Sequence, residues 1–209
     1  MTETMKVLEA IGQLKIQEDR FFKAMRGMKL ITANRQSAKK VDGMKLEDFT
    51  NLAKSSYDST TKLLDRYLAM KKAINEFNAS TKITICGEEM SVAAALYIKE
   101  HGIHQKKQLL DLLSQQLYEA ESRMRSENGD KLEDAAERNA KQRFEGDTKA
   151  DGYLDFLNQY KEDNQYILID PLNIRDKIAK LEDWISKFES GVDTQIQIAN
   201  ATHDITIEY

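Results

Sequence analysis

Residues 46–77 read LEDFTNLAKSSYDSTTKLLDRYLAMKKAINEF, and apolar or small residues recur along this stretch at alternating steps of three and four. Such steps place every member of the series on one side of a helix, as in helices that pack lengthwise against a partner. The pattern therefore predicts a helix over about 45–78. The members of the series are Leu46, Phe49, Ala53, Ser56, Thr60, Leu63, Tyr67, Met70, Ile74 and Phe77.

Three further stretches carry similar spacing and predict three more long helices. The first covers about 3–32, the second about 92–126, and the third follows the Asp170-Pro171 pair and continues to about 199. Ser91 is expected to cap the second of these helices, because a hydroxyl there can accept a free backbone N–H. An aspartate followed by a proline is likewise typical of a helix start.

Short runs rich in β-branched residues predict strands at 82–85 and 166–169 and a final strand at 204–209. The fold class predicted from these elements is mainly α: long antiparallel helical hairpins in a coiled-coil-like bundle, with a small two- or three-stranded sheet at one end. We expect a single helical domain over 1–209, with 126–165 as a candidate inserted, partly mobile subregion.

Two stretches align without a gap: INEFNASTKITI at 74–85 and IQIANATHDITI at 196–207. Each is the end of a long helix followed by a short strand. Asn78 and Asn200 can adopt the left-handed conformation that ends a helix, and the hydroxyls of Ser80 and Thr202 can bond nearby backbone groups. The two strands are expected to pair with each other, or with the predicted strand at 166–169.

Composition and charge exclude several classes of protein. The 209 residues contain 31 Lys and Arg against 35 Asp and Glu, a net charge of −4, with one Cys and three His. A single cysteine excludes a disulfide framework, and no apolar run reaches the length of about 18 residues that a membrane span needs. The first 20 residues are too charged for a signal peptide, so we expect a cytoplasmic protein.

The chain resembles an uncharacterised bacterial and phage family often labelled septicolysin-like. The resemblance rests on the polar loop from Asn34 onward, on AINEFNASTKITICGEEMSVAAALYIK at 73–99 and on IDPLNIRDKIAKLEDWISKFESGVDTQIQIANATHDITI at 169–207. Members usually carry Glu where this chain has Ala94, so the reciprocal capping box is absent here. The resemblance implies a long-helix fold and transfers no function.

Catalytic chemistry finds little support in the residues. His101 and His104 lie three apart beside Glu100, which is the minimum for a metal site, but no third ligand has a supporting motif. Cys86 lacks any signature of a neighbouring base, and no glycine-rich phosphate loop occurs. We therefore predict no catalytic residue, no metal and no cofactor.

The basic stretch from Lys23 to Lys40 is the stronger candidate for a site. Residues 1–60 hold eleven basic and eight acidic residues, so this end of the chain has a net charge of +3 (11 − 8). Arginine offers a planar fork that suits phosphate. The predicted ligand-binding residues are Asn34, Arg35, Lys39 and Lys40; the alternative is an ordinary solvated loop. The small residues Ala53, Ser56 and Thr60 could leave a pocket in the helix seam.

These observations favour a non-catalytic binding protein that forms a homo-oligomer, since narrow apolar stripes rarely suffice for an isolated chain. The phage-rich resemblance suggests an inhibitor that sequesters a small signalling nucleotide between subunits, or another component of host defence. The alternative is a structural or assembly scaffold, or a chaperone, that binds protein only. A metal-dependent enzyme using His101 and His104 is the third hypothesis. A pI of about 5.6 argues against nucleic-acid binding.

Overall fold

The computed structural model describes residues 1–209 as a mainly helical chain with small antiparallel sheets, and 71% of the residues are helical. The predicted fold class is therefore confirmed. The helices are α1 Val7–Gly27, α2 Leu46–Ser80, α3 Val92–Tyr97, α4 Ile103–Ser126, α5 Leu132–Arg143, α6 Tyr153–Asn164 and α7 Ile174–Thr202. The strands are β1 Thr2–Lys6, β2 Lys40–Val41, β3 Met44–Lys45, β4 Lys82–Ile85, β5 Glu88–Ser91 and β6 Asp204–Glu208.

The chain divides into two compact units. One unit comprises Met1–Glu100 together with Lys187–Tyr209, and the other comprises His101–Ser186. All six strands lie in the first unit, and α5 and α6 lie in the second. The expectation of a single domain over 1–209 stays a prediction, and the subregion 126–165 falls wholly within the second unit.

The strands form three two-stranded antiparallel sheets, β1 with β6, β2 with β3, and β4 with β5. Strands predicted at 82–85 and 204–209 are present, but they do not pair with each other. The strand predicted at 166–169 is absent: the Asn128 side chain bonds both the N–H and the carbonyl of Tyr166, at 2.7 and 2.8 Å, and no other strand reaches this segment.

Helix α1 is shorter than the predicted 3–32 because the chain entering it is a strand. Residues 2–6 pair with β6, with Met5 opposite Ile205 and Lys6 opposite Asp204. The backbone N–H of Val7 continues this ladder to the carbonyl of His203 at 3.1 Å. The helix predicted over 92–126 carries a π-helical turn at Ile98–Gly102 between α3 and α4, and the predicted Ser91 cap is confirmed, since its Oγ accepts the Ala94 N–H at 3.1 Å.

Helices α2 and α7 end in the same way, but neither ends at a left-handed asparagine as the sequence predicted. Neither Asn78 nor Asn200 has a positive φ; both lie inside their helices, which end two residues later at Ser80 and Thr202. The hydroxyls of Ser80 and Thr202 donate to the carbonyls of Glu76 and Ile198, each at 2.7 Å. These bonds satisfy carbonyls at the last turn, so the helices need no left-handed asparagine.

The same correspondence extends to the strands and helices that follow. Glu3-Thr4-Met5-Lys6-Val7 leads from β1 into α1 as Glu88-Glu89-Met90-Ser91-Val92 leads from β5 into α3. Val7 and Val92 are both fully buried, as are Ala10 and Ala95 three residues later. Each half of the chain therefore runs strand, helix, connection, helix, strand, and we call these halves the first and second hairpin.

The best-buried part of the core lies at the end of the first unit that carries β1, β4, β5 and β6. The largest fully buried side chains come from both hairpins and from the closing strand, so this end is where the helices and sheets are packed most tightly. They are Val7, Met70, Val92, Phe188, Val192 and Ile207.

The second unit depends more on aromatic and charged contacts. Phe144 stacks edge-on against Tyr153 and Phe156, with centroids 5.7 and 6.1 Å apart, where α5 meets α6. Between α4 and α7, the Lys106 ammonium lies 4.1 Å from the Trp184 ring centroid, and Arg175 pairs with Glu121 at 2.5 Å.

A partly buried charge network joins the first sheet to the first hairpin. The Arg66 guanidinium on α2 donates to both carboxylate oxygens of Glu3 on β1, at 2.6 and 3.0 Å, and to Gln13 on α1 at 3.0 Å. The hydrogen bonds from Arg66 hold the pKa of Glu3 below its usual value of 4.5, against the opposing effect of burial. One arginine thus ties three elements together.

We expect Glu3→Gln to lower the free energy of unfolding by about 2 kcal/mol at pH 7, because it weakens charge-assisted hydrogen bonds. Since the folded-state pKa of Glu3 is lowered, its stabilisation is present above about pH 4.5 and is lost as the pH falls through the folded pKa. Urea denaturation from pH 7 to pH 3 should therefore show the two proteins converging. Glu208→Gln, on the paired strand and without an ion pair, is the control and should differ little from the parent; a pH-independent gap for Glu3→Gln would contradict the assignment.

Candidate functional site

A solvent-open cavity of about 510 Å³ lies between α1 and α2, towards the end of the first hairpin where the loop connects the two helices. Its volume is in the range of pockets that hold small organic ligands. The lining residues from α1 and its C-terminal end are Arg20, Lys23, Ala24, Gly27 and Met28, and those from α2 are Ser56, Ser59, Thr60 and Leu63. We call this the hairpin cavity.

Two cations face the hairpin cavity from one side. Arg20 and Lys23 are both exposed, and neither forms an ion pair or a hydrogen bond within the chain. Elsewhere, the cations of this unit often have a carboxylate partner, as Lys6 has in Asp204 at 3.0 Å and Lys99 has in Asp193 at 2.5 Å. Arg20 and Lys23 are therefore available to an anion from outside the chain.

Three hydroxyls face the cavity from α2. Ser59 donates to the carbonyl of Ser56 at 3.1 Å, whereas the hydroxyls of Ser56 and Thr60 make no hydrogen bond within the chain. Thr60 is nevertheless buried among its neighbours. Buried hydroxyls are usually paired. Because the Thr60 hydroxyl is not, it is an unused donor at the inner wall of the cavity.

The corresponding positions of the second hairpin carry larger side chains. The alignment of 74–85 with 196–207 extends upstream with the same offset, so Ser56 corresponds to Ile178, Ser59 to Leu181 and Leu63 to Ile185. The second hairpin has branched aliphatic side chains where the first has two serines. The small side chains of Ser56 and Ser59 leave room for the hairpin cavity.

The predicted ligand-binding residues lie in the loop beyond this cavity. Asn34 has a structural role: its side-chain amide donates to the carbonyl of Lys40 at 2.7 Å and its carbonyl accepts the Arg35 N–H at 2.9 Å. Arg35, Lys39 and Lys40 are exposed, and none of the four lines the cavity. Ligand binding by this group stays a prediction.

Sequence reasoning found part of the cavity and missed the rest. It singled out Lys23 as the start of a basic stretch, and Ser56 and Thr60 as small members of a helix seam, but it did not connect them. It missed Arg20, whose signal was its position one turn before Lys23. Connecting these residues required the register in which α1 lies against α2, which neither helix contains by itself.

The alternative chemistry is not assembled by the fold. No group of three or more His, Cys, Asp or Glu side chains is placed to hold a metal ion, so His101 and His104 gain no third ligand. Cys86 lies in the two-residue turn between β4 and β5. Its φ is 55°, and the φ of the neighbouring Gly87 is also positive, at 79°. No helix of the chain has the combined length and apolarity that crossing a bilayer requires.

One buried polar group sits in α1 one turn before the cavity. The Gln17 side chain is buried, and its carbonyl oxygen has no hydrogen-bond partner. Allowing for the π-helical turn, which adds one residue to the second hairpin, the corresponding residue is Ile103, which is buried too. The Gln17 amide thus occupies a buried position that an aliphatic side chain fills in the second hairpin.

Comparison of the chain with models of protein families, with curated proteins and with solved structures found no match in any of the three.

We expect Ser56→Ile with Ser59→Leu, the residues of the second hairpin, to raise the free energy of unfolding by about 2 kcal/mol, because several methylenes would fill the cavity wall. Urea denaturation measures the change. Ser55→Leu, one residue away on the exposed side of α2, is the matched control and should change stability by less than about 0.5 kcal/mol. Equal effects from the two variants would show that helix propensity, and not cavity filling, is responsible.

We expect Gln17→Met to stabilise the protein by about 1–3 kcal/mol, because it removes a buried carbonyl that lacks a partner while keeping the side-chain volume. The control is Gln105→Met, at an exposed position of α4, which should leave the melting temperature nearly unchanged. A lower melting temperature for Gln17→Met would mean that the amide is satisfied in solution.

Proposed function

We propose that the protein is a non-catalytic binding protein that holds a small anionic organic molecule in the hairpin cavity. One observation carries this proposal: Arg20 and Lys23, two cations without partners, line the same cavity of about 510 Å³ as the unbonded hydroxyls of Ser56 and Thr60. Cations with hydroxyl donors opposite them suit an anion with several oxygens.

The remaining wall of the cavity is apolar and suits an apolar part of the ligand. Ala24, Met28 and Leu63 are apolar and line the cavity beside the cations. A ligand that fills the space would therefore combine an anionic group with an apolar or ring-shaped body, and thioether side chains such as Met28 pack well against rings. A nucleotide has this combination, and its size fits the volume.

The residues that line the hairpin cavity support ligand binding without catalysis. No carboxylate, imidazole or thiol lines the hairpin cavity, so the groups that most often act as general acid, general base or nucleophile are missing from it. The resemblance of 73–99 and 169–207 to a phage-rich family motivates the more specific proposal, that the ligand is a small signalling nucleotide withheld from a host process.

We expect Arg20→Ala to weaken binding of a cyclic dinucleotide or a nucleoside monophosphate at least tenfold, because it removes the fork that would hold the phosphate. Isothermal titration of the purified protein measures the affinity, with inorganic phosphate as the minimal probe. Arg26→Ala is the matched control: it lies on the same helix, is exposed, and does not line the cavity. Its affinity should equal that of the parent.

Variants of Arg35 and Lys39, in the loop after α1, test whether the ligand binds there and not in the hairpin cavity. If Arg35→Ala with Lys39→Ala abolishes binding while Arg20→Ala leaves it intact, the site is the basic loop and the hairpin cavity is not used. If none of these nucleotides binds the parent protein at millimolar concentration, the nucleotide proposal is wrong.

A second candidate function is a scaffold or chaperone that binds protein only. Exposed large apolar side chains favour it, among them Tyr57 and Leu68 on α2, Tyr118 on α4 and Leu154 on α6. Such residues commonly mark surfaces that meet another protein. A protein partner without any small-molecule ligand would support the scaffold over the cavity.

A further inference from the structure

Helix α1 carries a second apolar stripe that the chain leaves uncovered. Leu8, Ile11, Phe22 and Met25 are 54%, 42%, 40% and 42% exposed. Together with Lys15 and Glu18 they follow steps of three, four, three, four and three, which is the a/d spacing of a coiled coil. We call the six residues the outer stripe.

The apolar members of the outer stripe lie away from the face of α1 that packs against α2, and of its two charged members Glu18 contacts α2 through the Tyr67 hydroxyl. With about 100° between successive residues, the buried residues Ala10 and Gln17 lie on a neighbouring side of the helix, whereas Val7, in the first turn, is buried on the same side as Met25. Of the two cations that line the hairpin cavity, Arg20 lies roughly opposite the outer stripe and Lys23 lies about 110° around the helix from its centre. Occupation of the stripe therefore leaves the cavity accessible.

The outer stripe is complementary to itself when two copies run in opposite directions. Its members are symmetric about the point between Ile16 and Gln17: Leu8 mirrors Met25, Ile11 mirrors Phe22, and Lys15 mirrors Glu18. We propose that a second copy of this chain docks on the outer stripe, with the two α1 helices antiparallel. Leu8 of one copy then packs on the partner's Met25, and Ile11 packs on the partner's Phe22.

Charge selects this orientation. Antiparallel docking places Lys15 of each copy against the partner's Glu18, which gives two ion pairs at the centre of the interface. Lys15 has no ion pair within its own chain, and Glu18 accepts only the Tyr67 hydroxyl, through Oε1 at 3.3 Å. Parallel docking would bring Lys15 against Lys15 and Glu18 against Glu18, which disfavours it.

The surface area that the proposed interface would bury is typical of a reversible dimer. Four half-exposed apolar side chains from each copy, with their polar neighbours, would bury on the order of 1,000 Å² in total, near the lower limit for specific interfaces. We therefore expect a dimer whose population depends on concentration, in contrast to an obligate assembly that has no folded monomer.

The first experiment compares two isoleucines of the same helix by sedimentation velocity over a range of protein concentrations. Ile11→Asp puts a carboxylate in the outer stripe, and Ile16→Asp puts one at an exposed position (51%) on the far side of α1. The parent and Ile16→Asp should dimerise alike, and Ile11→Asp should weaken dimerisation at least tenfold. A parent that stays monomeric up to millimolar concentration, or equal effects of the two variants, would overturn the proposal.

Charge reversal tests the orientation. Lys15→Glu should weaken the dimer, because it brings two carboxylates together, and adding Glu18→Lys should restore it by exchanging the partners of each pair. Melting curves of both variants verify folding, since Glu18→Lys also removes the contact with Tyr67. A double variant no better than Lys15→Glu, in a folded protein, would exclude the antiparallel pairing.

Cysteine cross-linking gives the register directly, in a Cys86→Ser background. Leu8→Cys with Met25→Cys should oxidise to a covalent dimer, because these positions face each other across the interface. Leu8→Cys alone should not, since its copies would lie about 25 Å apart along the helix axis. Cross-linking by Leu8→Cys alone would instead show parallel docking.

Discussion

The antiparallel pairing of β1 with β6 is the contact on which the first unit depends, because it brings segments about 200 residues apart in sequence to one place. Met5 lies opposite Ile205, the Val7 N–H reaches the carbonyl of His203, and α1 starts where the pairing ends. Arg66 then braces β1 against α2 through Glu3. The direction in which α1 leaves the sheet, and hence its position along α2, follows from these bonds.

The hairpin cavity exists because the first and second hairpins share an order of elements but not their side chains. Packed interiors tolerate few voids larger than a water molecule, and the second hairpin has Ile178 and Leu181 where the first has Ser56 and Ser59. Two small polar residues on α2 and two unpaired cations on α1 line the resulting pocket. They make this part of the helix seam polar.

Helix α1 serves three purposes on three sides. One side packs within the unit through Ala10 and Gln17, another lines the hairpin cavity through Arg20 and Lys23, and the outer stripe presents apolar residues to solvent. An ordinary globular helix has one apolar face. The additional exposed stripe accounts for the proposed self-association, and its distance around the helix from the cavity makes ligand binding and docking separable properties.

The sequence by itself determined the long helices, the strands β4 and β6, and the Ser91 cap, because periodicity, β-branching and capping act between residues a few positions apart. It also indicated that Lys23, Ser56 and Thr60 are unusual. Only the tertiary structure decided that residues 2–6 form a strand, that 166–169 do not, and that Arg20 lines the same cavity as the serines of α2. Each of these depends on a partner distant in sequence: β6 for residues 2–6, Asn128 for Tyr166, and the register of α1 against α2 for Arg20. Local propensity is weak beside such contacts, so a pattern confined to one segment could not reveal them.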